Sequence, residues 1–334
     1  MLFIKGIGTL LLALCAFSLF SLKFPKGDLA MGGLANAAIT TFLVEAICKY
    51  ILGDLVGLEY FVAVGRSAGS LGGPAAAIMV GLAMGTDPIC AVAAAMALNG
   101  FGILPGFIAG YIVHFAIVPI MKRLPEGINT IIGALLAAAG SYGICYLIDP
   151  GVSLVISFIG DAILVATNQS PIFMGFLLGG IMKIVCTSPL SSMALTAMLG
   201  LTGLPMGIAC IACFGGAFSN GIVFWKLHLA DNSKAIAVIM EPLTQADIVT
   251  QNAVPVYTSS FIGGGICGIS AAALKIICNA PGTASTIPGM LAPFAFNSPV
   301  KVLLSLGLAL IGGIVGGWIT ALIFKKTRRI RSSI

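Results

Sequence analysis

The sequence predicts an all-α, polytopic membrane protein with re-entrant hairpins among its helices. Three observations carry that expectation. Of 334 residues, 59% are hydrophobic and only 8% charged, whereas a soluble domain covers itself with roughly 25% charged residues. The mean hydropathy of +1.11 also excludes a disordered chain, whose signature is low hydrophobicity and high net charge. The apolar stretches are continuous, as over residues 10–22 and 302–324. An outer-membrane barrel would instead show ten-residue segments of alternating polarity. At roughly 30 residues per crossing and turn, the length predicts about ten membrane helices in one membrane domain over residues 1–334. The 43 glycines agree, because small residues let helix backbones approach where lipid offers no hydrophobic drive between helices.

Gly and Pro punctuation divides the chain in order. Residues 4–22 form an apolar first segment without a small-residue cleavage site before Lys23 and Lys26, and so read as an uncleaved helix. Further segments follow at 29–52, 55–66, 70–86, 88–101, 103–121, 128–148, 151–167, 171–187, 190–204, 205–226, 259–278 and 301–324. Several are too short to cross about 30 Å of hydrocarbon. Short, Gly- or Pro-interrupted segments are the sequence mark of half-crossings and broken helices. Lys325, Lys326, Arg328, Arg329 and Arg331 make residues 325–334 a basic tail. Beside a membrane such a cluster anchors topology, which puts the C-terminus in the cytoplasm and argues against nucleic acid as a partner.

The nine cysteines lie within or beside apolar stretches. Cys210 and Cys213 form a C-x-x-C, but no second pair or nearby His completes a zinc set. The cysteines are therefore expected to act as small buried apolar residues. Neither a metal nor a cofactor is expected.

Ionisable groups at membrane depth cost at least ~2.5–3.5 kcal/mol and are functional suspects by default. Two regions look broken. One, GRSAGSLGGP, holds Arg66 among glycines; the other, residues 232–260, holds Glu241-Pro242, Gln245, Asp247, Gln251 and Asn252. The second is apolar enough for membrane depth yet carries acids and amides, and irregular backbone there must be shielded by protein or face a cavity. Pro242 lacks an N–H and disfavours helix at the residue before it. Glu241 is thus an acid at a break, suited to accept hydrogen bonds from hydroxyls. Lys183 lies in a long uncharged run, either snorkelling to a surface or facing a cavity. Asn168 and Gln169 suit sugar hydroxyls or an interface. His114, alone in GYIVHFAIVP, reads as a packed, hydrogen-bonded residue.

Glu241-Pro242 in its polar hairpin resembles the Glu-Pro element of the membrane-embedded IIC components of the bacterial phosphotransferase system, in the glucose superfamily. More narrowly, GRSAGSLGGPAAAIM, MEPLTQADIVTQNAVP and the late APFAFNSP make nearly the whole chain resemble the stand-alone "PTS EIIC type 2" family, which includes perfringolysin O regulators. The resemblance implies a multi-pass protein of the bacterial cytoplasmic membrane with a sugar site near the bilayer centre, and a homodimer. Glu241 would bind the hydroxyl to be phosphorylated, assisted by Gln245 or Asn252. Asp247, Asn168, Gln169, Lys183 and Arg66 complete the candidate set. The chain departs from the fuller Gly-Ile-Thr-Glu-Pro form, since Val238-Ile239-Met240 precede the glutamate. With no phosphocysteine domain attached, phosphotransfer requires a separate IIB protein.

The sequence therefore predicts a membrane carrier of a sugar or similar hydroxylated molecule. The competing classes are a sensor that binds without transport and an ion-coupled transporter using Glu241, Asp247 or His114. A hydrolase reading of Gly65 to Gly69 as G-x-S-x-G fails, because that elbow belongs between a strand and a helix of a soluble sheet.

Overall fold

The computed structural model of the chain describes residues 2–188 and 192–331. Their regular structure is helical throughout, with no strand among the described residues. In order come α1 (Leu2–Lys23), α2 (Gly27–Ala38), two π-helical stretches (Ile39–Leu43 and Ala46–Leu55), α3 (Glu59–Gly69), α4 (Gly72–Met84), α5 (Pro88–Met96) and α6 (Ile103–Met121). Then follow α7 (Ile128–Gln169), α8 (Pro171–Thr187), α9 (Ser192–Met198), α10 (Gly203–Lys226), α11 (Asn232–Met240), α12 (Ala246–Gln251), α13 (Ala253–Ala273), α14 (Thr286–Leu291) and α15 (Pro299–Arg331).

Among the described residues, six helices are long and apolar enough to cross a membrane, or seven if α3 and α4, bent by 56°, form one broken span. The sequence suggested about ten because it divided what the structure joins. Segments 128–148 and 151–167 fold as one 42-residue helix, α7, with Pro150 inside it. A membrane helix tolerates proline when neighbouring groups re-satisfy the freed carbonyl. At about 1.5 Å per residue α7 is far longer than a bilayer core. Other segments shrink to helices of seven to nine residues, such as α5, α9 and α11.

The chain divides into two compact units, one of residues 9–161 and 193–200, the other of residues 1–8, 162–192 and 201–334. In the first, α4 packs against α2 and α6 through glycine. A Cβ on Gly33 would meet the Met79 carbonyl oxygen at 2.6 Å, and one on Gly110 would meet Ala77 at 2.9 Å. Gly85, at φ 89°, ends α4 in the left-handed region that favours glycine. Asp87 starts α5 by accepting from the N–H groups of Ile89 (3.0 Å) and Cys90 (3.3 Å). His114 is 3% exposed. Its Nε2 sits 2.9 Å from Lys26 Nζ and its Nδ1 2.8 Å from Thr86 Oγ1, while Lys26 also donates to the Met84 carbonyl. It is the packed, hydrogen-bonded histidine the sequence suggested.

In the second unit α8, α10, α13 and α15 pack on one another. Their glycines set the register. A Cβ on Gly175 would strike the Gly268 carbonyl oxygen at 2.7 Å and the Ala272 methyl at 2.8 Å; one on Gly179 would strike the Gly264 carbonyl oxygen at 2.6 Å and Gly268 Cα at 3.0 Å. As α8 advances, its partners on α13 recede, so these two helices are antiparallel. Gly215 meets Ala309 and Gly317 meets Ser219, so α10 and α15 run parallel. The contacts are backbone on backbone, the arrangement expected of helices associating by close approach.

Replacing Gly179 by Ala should therefore force α8 from α13 and cost about 1–3 kcal/mol, the usual range for overpacking. Gly307→Ala, where nothing lies within 4 Å of the new methyl, should leave stability unchanged or slightly raised. Thermal unfolding of both variants in detergent checks the contrast.

Candidate functional site

Three side chains join α8, α10 and α13 at one level. Asn220 Nδ2 donates to Thr187 Oγ1 at 3.0 Å, and Asn220 Oδ1 accepts from Ser260 Oγ at 3.0 Å. The Thr187 and Ser260 hydroxyls lie 3.1 Å apart, and Thr187 Oγ1 also bonds the carbonyl of Lys183 at 2.9 Å. Each group is buried. Beside this triad Ser219 Oγ donates to the Ser259 carbonyl at 2.8 Å.

One turn back along α8 stands Lys183. It is 0% exposed, so its ammonium ends in the protein interior and does not reach a surface. The space comes from two glycines, each one turn from the triad on its own helix. A Cβ on Gly216 would fall 2.7 Å from Lys183 Cγ, and one on Gly264 would collide with Lys183 Cβ. Lys183 Nζ donates to the Cys213 carbonyl at 3.3 Å and lies 4.0 Å from Cys186 Sγ. Cys213 Sγ in turn contacts the Met182 carbonyl and Ser192 Oγ.

Glu241 reaches this region from the far end of α10. Asp231 caps α11 by accepting from Lys234 N at 2.8 Å. Gly221 then lets Ile239 lie against α10, so α11 folds back along it. At Glu241 the backbone turns extended, φ −149° and ψ 100°, as the following proline demands. Its N–H still bonds Ala237 O at 2.9 Å, while its carbonyl accepts from Thr244 N (3.2 Å) and Thr244 Oγ1 (2.8 Å). A 3-10 turn, Pro242–Gln245, follows and packs on α8. Phe224, Val238, Val249 and Val256 form the core that holds the hairpin to α10. The Glu241 side chain is half-buried.

A second short segment arrives from the opposite end of α10. Cys278 N bonds Gly203 O at 3.0 Å, a Cβ on Gly289 would lie 2.6 Å from the Cys210 carbonyl oxygen, and Ser192 Oγ donates to the Ala284 carbonyl. This segment carries α14, which touches α11. Two short segments thus run along α10 from its two ends, one against Gly221 and the other against Cys210, and Lys183 and Cys186 lie together beside Cys213 of α10. The arrangement presents an ammonium, a carboxylate and several hydroxyls within otherwise apolar protein.

The structure treats the sequence candidates unequally. Lys183 lies buried beside Cys186, and Glu241 lies half-buried at the break after α11. Gln245 is half-buried in the 3-10 turn, with Nε2 donating to Thr244 Oγ1 at 3.2 Å. Asn252 is half-buried, its Nδ2 turned onto the Ile248 carbonyl at 3.0 Å. Asp247 belongs to α12, but its side chain lies outside the described residues, as do those of basic-tail residues 326–331. Asn168 and Gln169 are exposed at the end of α7, and Arg66 is exposed on α3, which belongs to the other unit. Sequence reasoning passed over Thr187, Asn220 and Ser260. Asn220, an amide inside an otherwise apolar α10, was the available signal. Among the described residues no group of His, Cys, Asp or Glu is placed to hold a metal ion.

The family described as "Phosphotransferase system, EIIC" matches residues 29–334. No curated protein matches the chain. A match over that span shows that the chain belongs to this family. With its membrane-length helices, it is a multi-pass cell-membrane component of sugar transport.

Asn220→Ala should leave the Thr187 and Ser260 hydroxyls short of partners and lower stability by about 0.6–2 kcal/mol, the range of interhelical hydrogen bonds in membranes. Asn168→Ala, at an exposed position, should change the thermal midpoint little. Parallel melts in one detergent test the difference.

Proposed function

We propose that this phosphotransferase system EIIC protein carries a sugar or similar hydroxylated small molecule across the bacterial cytoplasmic membrane, with Glu241 as the residue that receives a substrate hydroxyl. The supporting observation is the half-buried Glu241 at a helix break, on a hairpin that packs against α8 and α10. A carboxylate accepts hydroxyl hydrogen bonds more strongly than a neutral group does. In partly shielded surroundings such bonds orient a ligand with few contacts. Hydroxyls and amides from α8, α10 and α13 lie at the next level, and Gln245 and Asn252 stand on the hairpin that bears Glu241.

On this reading the chain supplies binding and passage. Phosphorylation of the substrate hydroxyl falls to a separate IIB protein approaching from the cytoplasm, the side on which the C-terminus also lies. Asp247 is retained as an assisting residue of the hairpin. Arg66, Asn168 and Gln169 remain candidates for contacts outside the central cluster. A homodimer suits the glycine-rich helices.

Purified protein should bind a carbohydrate, and Glu241→Gln should weaken that binding by about 10- to 100-fold, as loss of a charged acceptor implies. A thermal-shift screen of sugars and polyols followed by titration measures this. Undiminished binding by the Gln variant, or an empty screen, would refute the assignment. Uptake into proteoliposomes with and without a phosphoryl donor then separates the classes. A ligand that binds and never crosses identifies a sensor. Uptake that needs no donor and collapses with the proton gradient identifies an ion-coupled transporter.

A further inference from the structure

A cleft of about 330 Å³ runs between α10, α11 and α15, at the lower end of the range of small-molecule sites. Its walls are hydrocarbon. Phe218, Ile222, Ile236, Ile239 and Ile314 line it, and Ile236 is 63% exposed. From Phe218 to Trp225 it follows α10 for about 10 Å, at 1.5 Å per residue. Such walls give a hydroxylated molecule almost nothing to bond. The occupant they fit is a hydrocarbon chain, which the surrounding bilayer supplies.

One turn beyond the cleft the chemistry changes, on α10 and α15 alike. Lys226 follows Ile222 by four residues and Trp318 follows Ile314 by four, a spacing that keeps each pair on one helix face. The Lys226 ammonium lies 3.8 Å from the ring centroid of Trp225 and 4.1 Å from that of Trp318. Trp225 also lines the cleft, and Asn232 brings an amide to the same end. Contact with ring faces directs an ammonium without removing its charge. Tryptophan gathers at the membrane–water boundary, and these two indoles are 46% and 41% exposed. The cleft therefore opens at headgroup level beside a held cation.

We propose that this cleft binds an anionic phospholipid, one acyl chain lying between α10, α11 and α15 and the headgroup phosphate facing Lys226 and Asn232. The proposal goes beyond the carrier reading and does not depend on what is carried. A lysine that only anchored its helix at the interface would need neither a cleft below it nor a second indole from α15. Because α10 and α15 run parallel, the cation stands on the side where the chain continues into Lys325, Lys326, Arg328, Arg329 and Arg331. Such clusters attract anionic lipid to that leaflet. α11, the helix that leads to Glu241, forms one wall of the cleft. A lipid chain there braces the hairpin against α10 and α15.

Full-length protein, stripped of lipid in detergent, is titrated with phosphatidylglycerol, phosphatidylcholine and glycerol 3-phosphate, with native mass spectrometry counting bound lipid and thermal melts reporting stability. Phosphatidylglycerol should bind about tenfold more tightly than phosphatidylcholine, as one charge-assisted hydrogen bond implies. Glycerol 3-phosphate, a headgroup without chains, should have no effect. Lys226→Gln should erase the preference between the lipids, and Lys226→Arg, which also stacks on indoles, should keep it. Ile314→Trp, which fills the cleft, should weaken both lipids. Melts without lipid check that each variant is folded, and the Lys226 pair decides the matter if Ile314→Trp is not. Equal affinity for the two lipids, or none for either, would overturn the site and leave Lys226 an ordinary interfacial anchor. A response to glycerol 3-phosphate equal to that of the lipid would overturn the lipid as its source. A changed oligomeric state in Ile314→Trp with lipid binding intact would assign the cleft to a second copy of the chain and overturn the proposal.

Discussion

The second unit depends on backbone-to-backbone contact among α8, α10 and α13. Side chains are removed from the contacts so that helices can touch, and the same removal decides what fits between them. Gly175 and Gly179 press against Gly268 and Gly264. At the next level the sequence changes from small residue to Lys183, and the two facing helices answer with Gly216 and Gly264. A Cβ at either position would displace the lysine stem, which couples a charged residue on one helix to the absence of side chains on two others. One turn further on, Thr187, Asn220 and Ser260 close the level with hydrogen bonds. Small, charged and hydroxyl-bearing levels thus follow one another along a shared register.

That register makes the two short segments intelligible. α11 and the segment carrying α14 enter from opposite ends of α10, and neither is long enough to span a bilayer. Irregular backbone in hydrocarbon is tolerated only when protein receives its unpaired groups. Glu241 shows how this is done. Its carbonyl, freed by the break at Pro242, accepts twice from Thr244, and the apolar remainder of the hairpin lies against Phe224. Ser192 does the corresponding work at the other segment by donating to the Ala284 carbonyl.

How legible this was from sequence depended on whether a residue type has one physical meaning or several. Glutamate before proline in an apolar run has few comfortable explanations, so the break at Glu241 was readable. Lys183 was readable as an anomaly, but choosing between a surface and the interior needed the positions of Gly216 and Gly264. Thr187, Asn220 and Ser260 were not readable, because Ser and Thr in membrane helices commonly bond their own backbone and only register shows them meeting. Asn168, Gln169 and Arg66 were singled out for polarity alone, and polarity at an exposed helix end or on a short helix has ordinary causes. Pro150 was taken as punctuation, whereas α7 continues through it. The overall helical class was plain from composition, and the division into long and short helices was not.

The same packing bears on which part of the second unit can yield when a molecule enters. Parting α8 from α10 and α13 would break the triad at Asn220 and open backbone contacts along several turns at once, with no water at that depth to replace what is lost. The hairpin tip is held differently. Glu241 and Gln245 are half-buried and Thr244 is exposed; Thr244 Oγ1 donates to the Glu241 carbonyl and accepts from Gln245 Nε2. Lys183, by contrast, is fully buried and its stem is held in its glycine channel. The lysine stem thus sits in the tightly packed part of the unit, and the Glu-Pro break sits at its half-buried margin.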